Sequence, residues 1–344
     1  MESTMSSPGN TPLPSHSPNP IPVYSTIAPL RSLRRQTTLS GQTIGLVPTM
    51  GALHTGHLSL ILHAAHHNRT LVVSIFVNPA QFAPHEDLAI YPRTLESDLQ
   101  QLHNLNAQLD LQDPTGTVLG RIAGVFHPEP SILYPRGIPL DPMKQRGAFV
   151  SVEPLSKKLE GVSRPHFFRG VATVCSKLFN IIQPDAAYFG QKDVQQTIVL
   201  KTLVADLHFP VRIVVCPTAR DQTDGLALSS RNVYLGKTRR AYAGCLYQAL
   251  EAGRRVYEDG LERGGVEAKE ILSAAMMVLR VFVEEGMLEV EYLSLAESGE
   301  LEEFEPEEKV NRERGEGAVM SGAVRMLPIE EGQGVVRLID NVIL

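Results

Sequence analysis

Two histidines three residues apart, His54 and His57, lie in the tract Pro48-Thr49-Met50-Gly51-Ala52-Leu53-His54-Thr55-Gly56-His57. An apolar run delivers the chain into this tract and an amphipathic run leaves it, so the tract reads as a strand-to-helix turn. The first N–H groups of a helix have no partner within it. The positive end of its dipole lies there too, and together they make an anion site suited to phosphate. Gly51 lets the backbone approach a ligand closely. At this spacing both imidazoles can face one phosphate. Met50, Gly51, Ala52, Leu53, His54, Thr55, Gly56 and His57 are therefore candidate phosphate-contacting residues. The plainer alternative is a pair of helix-start histidines satisfied by backbone, which the flanking strand and helix make the weaker reading.

Other tracts place polar groups after apolar runs in the same way. Phe76-Val77-Asn78-Pro79-Ala80-Gln81 ends a buried-strand pattern in Asn78 and Gln81, and Gln81 can serve hydroxyl and carboxylate groups as donor and acceptor. In Tyr188-Phe189-Gly190-Gln191-Lys192-Asp193-Val194-Gln195-Gln196 a strand again opens into a helix. Lys192 offers a point charge for phosphate. Asp193 can accept from sugar hydroxyls, and Gln196, a turn further on, can face a carboxylic substrate. In Asp224-Gly225-Leu226-Ala227-Leu228-Ser229-Ser230-Arg231-Asn232 two hydroxyls and an arginine suit a polyphosphate tail. Taken alone, a Lys-Asp pair or a Ser-Ser-Arg string is an ordinary solvated turn. Their positions after successive strands favour a site. His63, His66 and His67 share one helix but have no carboxylate or cysteine at ligand spacing, so they read as a solvent face and no metal site is expected.

The elements that must position these groups alternate. Strands are expected at Thr43–Pro48, Leu71–Val77, Asp185–Phe189 and Val211–Val215. Helices are expected from Gly56 to about His67, through Val171, Val174, Leu178 and Ile181, and from Val194 to about Asp206. This pattern predicts an α/β fold, a Rossmann-like doubly wound parallel sheet. Beyond about Pro217 two long helical patterns, from Lys237 to about Glu258 and from Val266 to about Glu285, precede three strand-like runs. They predict a second, smaller α+β domain. The expected division is a disordered tail over 1–21, rich in Ser and Pro, a first domain over 22–218 and a C-terminal lid over 219–344. Residues 111–124 and 302–317 look like insertions that loop out on the surface.

The 344 residues carry a net charge of −6, so no global positive field exists to hold nucleic acid. Cys175, Cys216 and Cys245 are scattered and odd in number, which gives no disulfide framework and suits a reducing, cytoplasmic setting. No apolar run reaches the ~20 residues of a membrane span. Arg31, Arg34 and Arg35 among serines near the start leave a mitochondrial leader as the less favoured alternative.

The string Pro-Thr-Met-Gly-Ala-Leu-His-x-Gly-His resembles that of the pantothenate synthetases (pantoate–β-alanine ligases), within the nucleotidyltransferase superfamily. The other tracts follow in the family's order, as do Tyr91-Pro92-Arg93-Thr94 and Arg164-Pro165-His166-Phe167. The resemblance implies ATP with Mg²⁺, the substrates pantoate and β-alanine, a pantoyl-adenylate intermediate and a homodimer. It implies catalytic roles for His54, His57 and Lys192. ATP contacts are implied for Met50–His57, Gly190, Gln191, Lys192, Asp193, Ala219, Leu228, Ser229, Ser230 and Arg231. Gln81, Gln196, Asn78, Tyr91 and Arg164 would hold the small substrates. Two positions depart from the family pattern. Phe167 stands where the family has histidine, with His166 one place early, and Gln191 replaces the usual glutamate. In such chemistry a carboxylate attacks the α-phosphorus of ATP, and donors fixed where negative charge develops lower the barrier. A nucleotidyltransferase without amide formation, or an inactive nucleotide-binding regulator, are the alternatives.

Overall fold

The structure, a computed structural model, describes residues 20–83, 88–89, 91–110, 118–311 and 317–344. The expected tail, apart from its last two residues, and parts of both expected insertions (111–117 and 312–316) lie outside the described residues.

The first part of the chain builds β1 (Val23–Tyr24), α1 (Ile27–Leu39), β2 (Ile44–Thr49), α2 (Thr55–His67), β3 (Thr70–Ile75), α3 (Leu95–Asp110) and β4 (Arg121–Phe126). Short helices α4 (Pro130–Leu133) and α5 (Glu160–Ser163) follow, then α6 (Phe167–Ile182), β5 (Ala186–Gly190), α7 (Val194–Asp206) and β6 (Arg212–Cys216). The six strands form one sheet in the order β1-β4-β3-β2-β5-β6, and every pairing is parallel. Parallel sheets are covered on both faces, so their strands are apolar on both sides. In β3, Leu71, Val73 and Ile75 pack with Leu60, Ile61, Ala64, Leu102 and Leu105 of α2 and α3. Val72 and the following Phe76 face the opposite way, towards Phe168, Val171 and Leu178 of α6 and Val199 of α7.

The remainder forms α8 (Gly236–Arg240), α9 (Cys245–Leu261), β7 (Val266–Glu267), α10 (Ala268–Glu284), β8 (Leu288–Glu297), β9 (Lys309–Val310), β10 (Ala318–Met326) and β11 (Val336–Ile343). β8, β10 and β11 make an antiparallel sheet with β10 in the middle. Its core with α9 and α10 is a separate cluster that includes Leu246, Leu250, Ile271, Leu279, Met320 and Leu338.

Several expectations need correction. The stretch 111–124 is not wholly a surface excursion, because Arg121–Phe126 is strand β4, paired with β1 and β3. Its small residues misled the reading. A Cβ on Gly124 would lie 2.3 Å from the Tyr24 ring, so the strand needs glycine where that ring crosses it. Within 302–317, Lys309–Val310 pairs with Val266–Glu267, and Val310 is buried. Ile21, assigned to the tail, is buried in the core between the sheet and α2. The pattern from Lys237 breaks between Arg240 and Cys245 into α8 and α9, and Val266–Glu267 is a strand ahead of α10. Helices α1 and α3 were not anticipated.

Candidate active site

In an open parallel sheet, ligands bind beyond the carboxyl ends of the strands where the strand order reverses. That point lies between β2 and β5, which are neighbours at the centre of this sheet. The chain leaving β2 makes the His54–His57 turn, and the chain leaving β5 reaches Lys192 within two residues. This connectivity brings the two tracts together across more than a hundred residues of sequence. A cleft of about 280 Å³ opens there, and its wall includes residues from β8, β10 and β11 of the second sheet.

The two imidazoles lie with ring centroids 4.1 Å apart. Each is tied by its Nδ1 to the helix start. Gly56 N–H donates to His54 Nδ1 at 3.1 Å, and His54 N–H donates to His57 Nδ1 at 3.4 Å. The backbone-satisfied reading is thus half right, and its consequence is chemical. A neutral imidazole that accepts at Nδ1 carries its proton on Nε2, so each ring keeps an N–H donor beyond its cap. Burial holds both rings neutral, and the adjacent Lys192 charge adds to the effect. His57 is pushed down to about 3, and His54 is lowered in the same direction. A Cβ on Gly56 would sit 2.8 Å from the His54 ring, so glycine is what allows the ring to fold back over the turn.

A residue the sequence reading passed over pins this turn. Asp98 on α3 is almost fully buried and accepts from the N–H groups of Ala52, at 3.0 Å, and Leu53, at 2.8 Å. Ala52 has φ +49°, a conformation non-glycine residues adopt only when their surroundings enforce it. Gly51, Ala52 and Leu53 therefore face the carboxylate of Asp98 instead of the cleft. Thr55 is exposed on the first turn of α2 and is not in the cleft wall either.

Gln81 is in the wall, and Asn78 is behind it. Asn78 Nδ2 donates to Gln81 Oε1 at 2.9 Å and to Gly170 O at 3.1 Å, while its Oδ1 accepts from Tyr134 Oη at 2.7 Å. With its four bonds spent, counting Ala80 N–H, Asn78 has nothing left for a substrate. It fixes the Gln81 amide so that Nε2 faces away from it. Gln196 lies in the wall as expected. Its neighbour Gln195 is buried, bonded to backbone groups of Leu155, Lys158 and Glu160. Arg164 lines the cleft, donates to Gln81 O at 3.1 Å and stacks over Phe167 at 4.0 Å. Phe167 also lines the cleft, whereas His166 is exposed outside it.

Lys192 Nζ lies 3.2 Å from Asp193 Oδ2. Gly190, Lys192, Asp193, Ala219, Leu228, Ser229, Ser230, Arg231, Met50 and Tyr91 also line the cleft. Tyr91 and Ser230, from opposite sides of the mouth, both line it. Gln191 does not line it. Its side chain turns to Asn341 on β11. The second sheet contributes Tyr292, Ser321, Asp340 and Asn341, none of which the sequence reading singled out.

Residues 22–343 match the family model described as pantoate-beta-alanine ligase. The chain belongs to the pantoate–β-alanine ligase family. A pantoate–β-alanine ligase of Saccharomyces cerevisiae is 42% identical over 91% of this chain and 96% of its own length. A pantothenate synthetase of Roseiflexus sp. is 44% identical over 94% and 99%. Among solved structures, a pantothenate synthetase from Thermus thermophilus superposes with a TM-score of 0.74 at 37% identity, covering 93% of this chain and 98% of that one. The family's enzyme from Francisella tularensis, solved with β,γ-ATP and β-alanine, matches with a TM-score of 0.65 at 32% identity over 94% and 97% of the two chains.

Proposed function

We propose that this chain condenses pantoate with β-alanine at the expense of ATP, releasing AMP and pyrophosphate, through a pantoyl-adenylate formed in the cleft between the two sheets. The observation that carries this reading is the meeting of His54, His57 and Lys192 at the β2/β5 switch point, in a cleft that Gln81 and Gln196 also line.

ATP lies with its phosphates at the start of α2, where the positive end of the helix dipole favours anions. A pantoate carboxylate oxygen attacks the α-phosphorus, the α–β bridging bond breaks, and pyrophosphate leaves. Negative charge grows on the equatorial oxygens during this step. The Nε2–H groups of His54 and His57 are neutral donors held in place beforehand, so they need no reorganisation as the charge appears. Lys192 exchanges its contact with Asp193 for phosphate oxygens. Ser229, Ser230 and Arg231 receive the β- and γ-phosphates. Gln81 and Gln196 read the pantoate hydroxyl and carboxylate. The amine of β-alanine then attacks the acyl carbon, AMP departs, and the amine gives up a proton. Mg²⁺ enters with ATP. Among the described residues no group of three His, Cys, Asp or Glu side chains gathers as a cation site, and its ligands would be phosphate oxygens and water.

The working unit is residues 22–218 as the catalytic domain and 219–344 as the lid, in a cytoplasmic homodimer. Among the described residues no helix is long and apolar enough to cross a membrane. The deciding experiment measures AMP and pyrophosphate release with pantoate, with and without β-alanine. Stoichiometric AMP and amide only when both substrates are present supports the reading. A nucleotide product, or AMP release indifferent to β-alanine, defeats it.

A further inference from the structure

Lys192 occupies an unfavourable place. It lies in a single 3₁₀ turn, Gln191–Asp193, that leads directly into α7, and a cation near the positive end of a helix gains nothing from the dipole. Its stem has four rotatable bonds, so its ammonium can be no better placed than the backbone that carries it. That backbone is held from the second sheet. Asn341 of β11 is 1% exposed, and its Nδ2 donates to Gln191 O at 2.8 Å and to Lys192 O at 2.9 Å. Its Oδ1 accepts from Gln191 Nε2 at 3.2 Å. Asn341 is itself fixed. The preceding Asp340 is buried and takes both terminal nitrogens of Arg220, whose guanidinium stacks 3.9 Å over the Tyr247 ring. The Asn341 N–H closes onto Asp340 Oδ1 at 2.8 Å.

We infer that Asn341 is a positioning residue for Lys192, so that the cation used in adenylation is set by the second sheet and not by its own domain. Two donors on one nitrogen and an acceptor beside them are what a carboxamide has and a carboxylate lacks. The same logic explains Gln191. Its Nε2 donates to Asn341 Oδ1, which an ionised glutamate at that place could not do. Docking of the C-terminal sheet and competence of the lysine are thereby one event. Arg220, Asp340, Asn341 and Gln191 form the chain of contacts between them.

The inference rests on the reading of Lys192 as the phosphate cation, and a double-mutant cycle separates the two. Pantoate-dependent pyrophosphate exchange is measured for Asn341→Ala, Lys192→Ala and the double variant, with thermal melts alongside. The expected result is a loss of about tenfold or more in kcat for Asn341→Ala, with the KM for pantoate little changed, and no further loss when it is added to Lys192→Ala. Gln191→Ala removes only one of the three bonds and leaves the fold alone. It should lose about two- to fivefold in the wild-type background and nothing in the Lys192→Ala background. Losses that multiply in the double variants overturn the inference while leaving Lys192 in its role, as does full activity in Asn341→Ala and Gln191→Ala. Full activity in Lys192→Ala overturns the role of the lysine itself.

Discussion

Two regions of the cleft wall differ in how their side chains are supported. On the wall formed by the parallel sheet, the histidine turn and Gln81 have buried partners behind them. Asp98 holds the histidine turn, Asn78 holds Gln81, and Tyr134 holds Asn78. On the facing wall, Ser229–Tyr234 is a polar loop with a 3₁₀ turn, capped by Ser229 Oγ accepting from Arg231 N–H at 3.2 Å. Arg231 is exposed, and among the described residues it makes no ion pair. The difference suits the proposed reaction. Groups that stabilise developing charge act best when fixed in advance. Groups that admit a triphosphate and then shut out water must be able to move. If the reaction runs through the proposed acyl-adenylate, exclusion of water protects an intermediate that hydrolyses readily.

Breaking the parallel-sheet wall at its reacting group should give the largest effect. His57→Ala removes one fixed donor, and kcat for pyrophosphate exchange should fall by about 10² or more while the protein still melts cooperatively. Near-normal turnover would return His57 to a purely capping role. Removing the support comes next. Asp98→Ala leaves the Ala52 and Leu53 N–H groups buried and unpaired, at about 1–3 kcal/mol for each. Both the melting temperature and the exchange rate should drop, and an unchanged rate in a folded variant would show that the turn holds itself. Gln81→Ala should weaken pantoate binding by about 1–3 kcal/mol and leave ATP binding as it was, measured by calorimetry. Equal losses for both ligands would move Gln81 to the nucleotide side.

Hydrogen exchange sharpens the contrast on the Ser229–Tyr234 side. ATP should slow exchange over Leu228–Asn232 and leave Thr49–Leu53 unaltered. Identical protection with and without nucleotide would make the two walls one rigid unit. The smallest effect concerns pH. His57 titrates near 6.5 in the unfolded chain and at about 3 in the folded protein. Between those values the unfolded state binds a proton that the folded state refuses, so acidification draws the equilibrium towards unfolding. Stability associated with this ring should be complete above pH 6.5 and decline from there towards pH 3. The melting temperature of the wild type relative to His57→Gln should fall over that window. A flat difference would place the ring in contact with water.

What the sequence made legible has a common character. β2, β3, β5 and β6, with α2, α6 and α7, announce themselves through local periodicity. The tracts that join them carry the cleft residues at the turns. The misses are elements whose local signal is weak. α1 opens with a proline in its first turn and has a polar composition, and β4 carries Ala123 and Gly124 at its middle. The supporting residues were hidden for a different reason. Asp98 reads as one more acid in the first turn of α3, and Asn341 as one polar residue in a terminal strand. Nothing near them in sequence shows that the groups they serve lie 45 and 150 positions away. Thr94, whose hydroxyl lies 3.2 Å from Asp98 Oδ1 just after Tyr91-Pro92-Arg93, was the one local clue to the first.

The bond between Gln191 and Asn341 also has a kinetic side. Contacts between residues so far apart in sequence are slow to form, because the entropy of closing a long loop must be met before the contact contributes anything. The histidine turn rests on Asp98, and Gln81 rests on Asn78, Tyr134 and Gly170, all of them made well before β11. The turn bearing Lys192 has to wait for β11 to be synthesised and docked. A nascent chain would then hold a nucleotide-shaped surface with the histidines in place and the lysine unset. The proposed adenylation activity should arrive with β11, so removing residues 337–344 should abolish pyrophosphate exchange.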